Sequence, residues 1–118
     1  MWPLAWILGF EETPGIGGMI DGDTIAGIIQ DFLGGTDHGP DELVGSGENV
    51  DLMNVAAAEH LFYCAHNAAR SATFSGVPDA VPEGFHPVVD GGVVHERRHA
   101  LTWAMSPDDS WDDTDLST

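Results

Sequence analysis

The chain has no lysine. Its 118 residues carry 3 arginines against 20 Asp and Glu, a formal net charge of −17. Three cations cannot build the basic stripe that neutralises phosphates, so direct nucleic-acid binding is excluded as a function class. Cysteine is equally scarce. Cys64 stands alone, which excludes an intrachain disulfide and a Cys-based zinc cluster and points to a reducing cytoplasm. No apolar run is long enough to cross a bilayer, so no membrane role is expected. The stretch Met1–Phe10 is apolar but, at about ten residues and without basic flanks, reads as a buried helix rather than a membrane or signal segment. A chain opening directly on such a segment is expected to be the C-terminal part of a larger domain. Serine-nucleophile signatures, phosphate-cradling glycine loops and dinucleotide fingerprints are also missing. Gly15-Ile16-Gly17-Gly18 reads as loop composition alone.

What is present suffices for one folded domain over residues 1–118. Apolar residues make up 42%, which argues against wholesale disorder and supplies a single modest core. Repulsion among so many carboxylates costs stability and is relieved by salt or by a basic partner. Three explanations of the charge compete: adaptation to a salt-rich cytoplasm, a basic protein partner that the domain neutralises, and mimicry of nucleic-acid charge.

Hydrophobic spacing predicts a mainly α-helical domain of three to four helices with long Gly/Pro-rich connections. Pro3 suits a first helical turn and Gly9 stops it, leaving a short helix apolar on every side. Asp23 is read as the cap of a second helix, on which Ile25, Ile28, Ile29, Phe32 and Leu33 form one stripe ended by Gly34-Gly35. The Asp21-Gly22-Asp23 start lacks the later ligands of a calcium loop, with Ile25 and Phe32 at two of those places. Residues 34–50 read as a mobile surface loop with a helical turn at Asp41–Val44, and His38 and His86 as solvated loop residues. Asp51 caps the longest helix, about 52–74, whose buried side is assigned to Leu52, Val55, Ala56, Phe62, Ala65 and Ala69. His60 and Cys64, at i and i+4, are read as a surface imidazole beside a packed thiol. Val88–Val94 fits either a short β-hairpin around Asp90-Gly91-Gly92 or the approach to a last helix, about 93–105. The spacing of Val94, Leu101 and Met105 favours the helix.

Glu96-Arg97-Arg98-His99-Ala100-Leu101-Thr102-Trp103, followed by Trp111 through Thr118, resembles the C-terminal signature of a bacterial domain-of-unknown-function family. Its members read approximately Glu-Arg-Arg-His-Ala-Leu-Asn-Trp and then Trp-Asp-Asp-Val-Asp-Leu-Asp-Thr. Tyr63, Cys64, Ala65 and His66 stand where that family's long helix has its aromatic and His-Trp-Ala motif, and Trp2 to Gly9 resembles its opening helix. Thr102, Asn67 and Ser117 depart from the pattern. The resemblance implies a mostly helical fold and a bacterial or archaeal intracellular setting, and it implies no activity. Family members usually have more helix upstream, which leaves completion of the core by homodimerisation open.

Chemistry concentrates in the same signature. His95-Glu96-x-x-His99 has the zincin spacing, two imidazoles one turn apart with a glutamate placed to activate water, so His95 and His99 are candidate zinc ligands and Glu96 a candidate catalytic base. A third ligand would have to come from Asp112, Asp113, His66 or Glu59. Two adjacent arginines repel a divalent cation, however, and the resembling family commonly has an aromatic at the place of His95. His66, Glu96 and His99 form the best polar trio for a pocket, with His66 a second acid/base candidate if the helices face each other. The alternative expectation is a structural clamp. In it Arg97 and Arg98 fork onto Asp112 and Asp113 while Trp103 and Trp111 shield the pairs from water. The function most consistent with these residues is a non-catalytic acidic binding or assembly module without a required cofactor. A metal-dependent hydrolase using His95, Glu96 and His99 is the alternative, and a nucleic-acid charge mimic the next.

Overall fold

The computed structural model describes residues 1–33 and 48–118. The helical turn at Asp41–Val44, the Gly34-Gly35 stop and the solvated His38 all lie outside the described residues. The chain is mainly helical, with no strand among the described residues: α1 (Trp2–Ile7), α2 (Gly22–Gly27) running into π-helical turns over Ile28–Leu33, α3 (Leu52–Phe74), a 3-10 turn (Pro78–Ala80) and α4 (Val89–Ala104). No helix is long and apolar enough to cross a membrane among the described residues.

Helix α1 sits between two apolar clusters, which is what a helix without a polar face requires. Trp6 joins Val55, Phe62, Val94 and Leu101 in the main core between α3 and α4. Ala5 packs instead with Ile28 and Phe32 in a smaller one. Gly9 ends the helix with φ +84, where a side chain would be strained and would run into the Glu48 backbone. Its N–H donates to the Trp6 carbonyl and that of Phe10 to the Ala5 carbonyl, closing the last turn.

The structure departs from sequence expectation at three places. The cap of α2 is Asp21 rather than Asp23: its carboxylate accepts from the Thr24 N–H and hydroxyl, each at 2.9 Å, and the backbone bond holds it below the usual carboxylate range. Of the five-residue stripe that follows, only Ile28 and Phe32 are buried, against Ala5 of α1, whereas Ile25, Ile29 and Leu33 are left exposed by turns that widen to π spacing from Ile28 and by the lack of a covering element among the described residues. On α3, Leu52 is 65% exposed, and the buried face is Val55, Phe62, His66 and Ala69.

The hairpin alternative for Val88–Val94 is also overturned, since α4 begins at Val89. His86 and Asp90 cap it reciprocally. The Val89 N–H donates to His86 Nδ1 (3.2 Å), and the His86 N–H donates to Asp90 Oδ2 (2.7 Å). Gly91 faces α3 inside the helix, where a Cβ would make ordinary contact with the Ala69 side chain at 3.5 Å. Cys64 is exposed rather than packed, its sulfur 3.7 Å from His60 Nε2.

The contrast between Leu101, fully buried in the main core, and exposed Leu52 sets an expected outcome in urea denaturation. Leu101→Ala should lower the unfolding free energy by about 2–5 kcal/mol. Leu52→Ala should change it by no more than about 0.5 kcal/mol. Equal losses would contradict the packing described.

Candidate functional site

Helix α4 directs two adjacent guanidinium groups to different segments of the chain, each onto peptide carbonyls. Arg97 Nη1 donates to the carbonyls of Gly15 (2.6 Å) and Gly17 (3.2 Å), and Nη2 to that of Gly18 (2.8 Å). The Trp2 ring lies under it, 4.8 Å from the guanidinium carbon. The glycine loop is therefore the receptor for Arg97, a role that its composition alone does not reveal. Gly18, at φ +82, has the left-handed backbone that turns the loop. Burial lowers the Arg97 pKa from its ordinary value, and the group remains a cation.

Arg98 ties α4 to α3 and to the C-terminal tail. Its Nη1 donates to His66 Nδ1 (2.7 Å) and to the Leu116 carbonyl (2.8 Å), and Nη2 donates to the Ser117 carbonyl (3.0 Å). The Tyr63 ring covers it at 4.9 Å. Arg98 is only 3% exposed, and its Nε is buried without an acceptor among the described residues. Because guanidinium has no lone pair to offer, His66 Nδ1 must accept, which puts the imidazole proton on Nε2. Burial first, and then the Arg98 charge, push the His66 pKa down to about 4.

The acceptors differ from the carboxylate fork expected from sequence. Neither Asp112 nor Asp113 pairs with an arginine among the described residues. Asp113 Oδ2 accepts from the Ser110 hydroxyl (2.7 Å), and Asp112 is exposed. Peptide oxygens win because a carboxylate brought into the same buried space would add its own desolvation cost. Asp115 stands nearest in effect: the Ser117 N–H holds its carboxyl below the usual range, with a smaller contribution from Arg98.

The aromatic part of the site is a ladder of rings. His66 meets His95 edge-on at 5.2 Å, and His95 meets His99 at 6.3 Å. His99 then stacks on Trp111 at 3.8 Å, and Trp111 packs edge-on against Trp103 at 5.6 Å. His99 Nε2 donates to the Trp111 carbonyl (2.8 Å), so this nitrogen carries a proton and is not a free metal ligand. His95 Nδ1 lies 3.6 Å from Glu96 Oε1, and the Glu96 side chain is 75% exposed. No three His, Cys, Asp or Glu side chains are grouped to hold one ion among the described residues. Glu59, a possible third ligand by sequence, accepts from the Thr102 hydroxyl at 3.0 Å instead. Of the trio His66, Glu96 and His99, the two histidines share the ladder through His95, whereas Glu96 lines a surface reached only by the ladder's far rungs, Trp111 and Trp103.

That surface is a groove of about 1020 Å³ bounded by α1, α4, the Gly18–Ile25 segment and Trp111 of the tail. Trp2, Met19, Ile25, Val89, Val93 and Glu96 are among the residues that line it. The sequence reading missed it. The available signal was Met19, a large apolar residue in a glycine-rich loop with no periodic partner. A smaller cavity of about 230 Å³ lies over His66, Ala69, Phe74 and Gly91.

The chain belongs to a family described as a domain of unknown function (DUF4272), whose model matches residues 1–114, in keeping with the resemblance carried by the Glu96–Trp103 and Trp111–Thr118 signatures. No curated protein and no solved structure matches the chain.

Two outcomes follow from the Arg98 geometry. Arg98→Ala should cost about 1–3 kcal/mol in urea denaturation. Removal of Leu116–Thr118 should cost part of the same energy, so that the two changes together destabilise by less than their sum; strict additivity would disprove the link. The His66 shift gives a pH dependence. Its folded pKa lies below the unfolded value of about 6.5, so between those values the unfolded chain holds a proton that the folded chain does not. The contribution is complete above about pH 6.5 and is lost as pH falls toward the folded value. His66→Asn keeps an acceptor but cannot titrate. Between pH 7.5 and 4.5, wild type should lose roughly 2 kcal/mol more than this variant, and parallel curves would refute the assignment.

Proposed function

We propose that this family member is a non-catalytic acidic module that binds and neutralises a basic protein. The observation that carries the reading is the disposition of positive charge. Arg97 and Arg98 are buried on carbonyls of their own chain, at 6% and 3% exposure, which leaves Arg70 as the one arginine at the surface of a chain with a formal net charge of −17. Arg70 in turn lies over the Phe74 ring at 5.5 Å. Such a surface attracts cationic partners at long range and repels copies of itself and nucleic acid. The hydrolase reading draws less support, since His99 Nε2 is committed to a main-chain carbonyl and Glu96 faces the groove rather than His66.

Isothermal titration with a lysine-rich protein at about 0.15 M salt, with polyglutamate of matched charge as reference, tests the reading. A saturable complex about tenfold tighter than that of polyglutamate is expected. Affinity equal to polyglutamate, together with a stability that climbs steeply into molar potassium chloride, would assign the acidity to a brine-adapted surface and overturn it.

A further inference from the structure

We infer that the groove between α1, α4 and the Gly18–Ile25 segment receives an amphipathic basic helix of the partner, with the helix's apolar face inward; this rests on the acidic-module reading above. The walls are apolar and wet. Met19 is 92% exposed, Val89 64% and Ile25 44%, with Trp2 and Val93 behind them. Two charged side chains line the groove beside the Met1 amino group, whose pKa burial lowers, and they are not equivalent. Arg97 spends its Nη donors on the glycine carbonyls and its face on Trp2, whereas the Glu96 carboxylate is three-quarters exposed. Asp21 and Asp23, both exposed, lie between the groove residues Ile20 and Ile25 along the chain. An apolar floor with a negative rim is complementary to a helix carrying leucine-like anchors at i, i+3, i+4 and i+7 and lysine or arginine on its flanks. The unbranched, polarisable side chain of Met19 adapts to anchors of different shape. A second copy of this chain is the wrong occupant, because it would bring one surface of formal net charge −17 against another. The groove volume of about 1020 Å³ also reaches the upper limit usual for a small-molecule pocket and suits several side chains in a row.

The test uses three labelled peptides of about eighteen residues, five helical turns, in fluorescence anisotropy at about 0.15 M salt. The first is a Leu/Lys amphipathic helix, the second has the same composition scrambled, and the third replaces lysine by glutamate. The amphipathic Leu/Lys peptide should bind at least about tenfold tighter than the scrambled one, and the Leu/Glu peptide should not bind. Met19→Asp and Val89→Asp should each weaken binding about tenfold or more with an unchanged thermal midpoint, since both side chains are exposed. Each adds negative charge, so the weakening cannot come from electrostatics. Leu61→Asp, at an exposed position on α3 that does not line the groove, should leave binding unchanged. Equal binding of the ordered and scrambled peptides, binding of the Leu/Glu peptide, or indifference to Met19→Asp would overturn the groove and leave the acidic-module reading standing. Failure of both lysine peptides to bind would overturn the two together.

Discussion

A guanidinium removed from water must have its N–H edges met by acceptors, or the fold that buries it loses several kcal/mol. Two such groups on neighbouring positions of one helix impose that demand on different segments of the chain at once. Arg97 gathers three carbonyls from the glycine loop, and Arg98 gathers two from the tail and one imidazole nitrogen from α3. Loop, long helix and C-terminus are therefore positioned by a single pair of residues. Neutral dipoles serve better than carboxylates in this place. They are already part of the chain, they carry no full charge to desolvate, and glycine lets several converge on one group.

The same geometry organises the surroundings. Helix α1 can be apolar throughout because Trp6 faces the α3–α4 core, Ala5 faces the Ile28 and Phe32 cluster, and the Trp2 ring lies against Arg97. The imidazole and indole rings from His66 to Trp103 fill the side of α4 beneath the returning tail, with the Trp111 carbonyl capturing the free edge of His99. What remains uncovered is the groove that begins at Trp103 and Trp111, where apolar residues of α1, the Gly18–Ile25 segment, α4 and the tail meet at the edge of a strongly anionic surface.

Much of the helical layout was legible in the sequence. The limits of α3 follow from a long periodic segment that starts after Asp51, and they agree with the structure. Gly91-Gly92 has turn composition and hides the start of α4, whose real signal is the His86–Asp90 pair, an uncommon form of cap. The importance of Arg97 and Arg98 could be read from their rarity. Their acceptors could not, because every residue offers a carbonyl and none marks itself in the sequence. The stripe on α2 misled for a related reason: spacing reports which residues share a face, not whether a neighbour arrives to cover it, and Ile25 instead helps line the groove.

The Arg97 cradle also bears on how the protein is made. Its halves stand 79 to 82 positions apart, so the glycine loop and the α1 helix beside it leave the ribosome long before their arginine is synthesised. Local pairing of α3 with α4 can begin only once the final helix is out, and closure of so long a loop comes at the end of folding. Until α3 and α4 are made, Trp2 and Trp6 lack the Arg97 and core partners they have in the fold, and the Ile28 and Phe32 cluster alone covers α1, a state that exposes apolar surface to other chains.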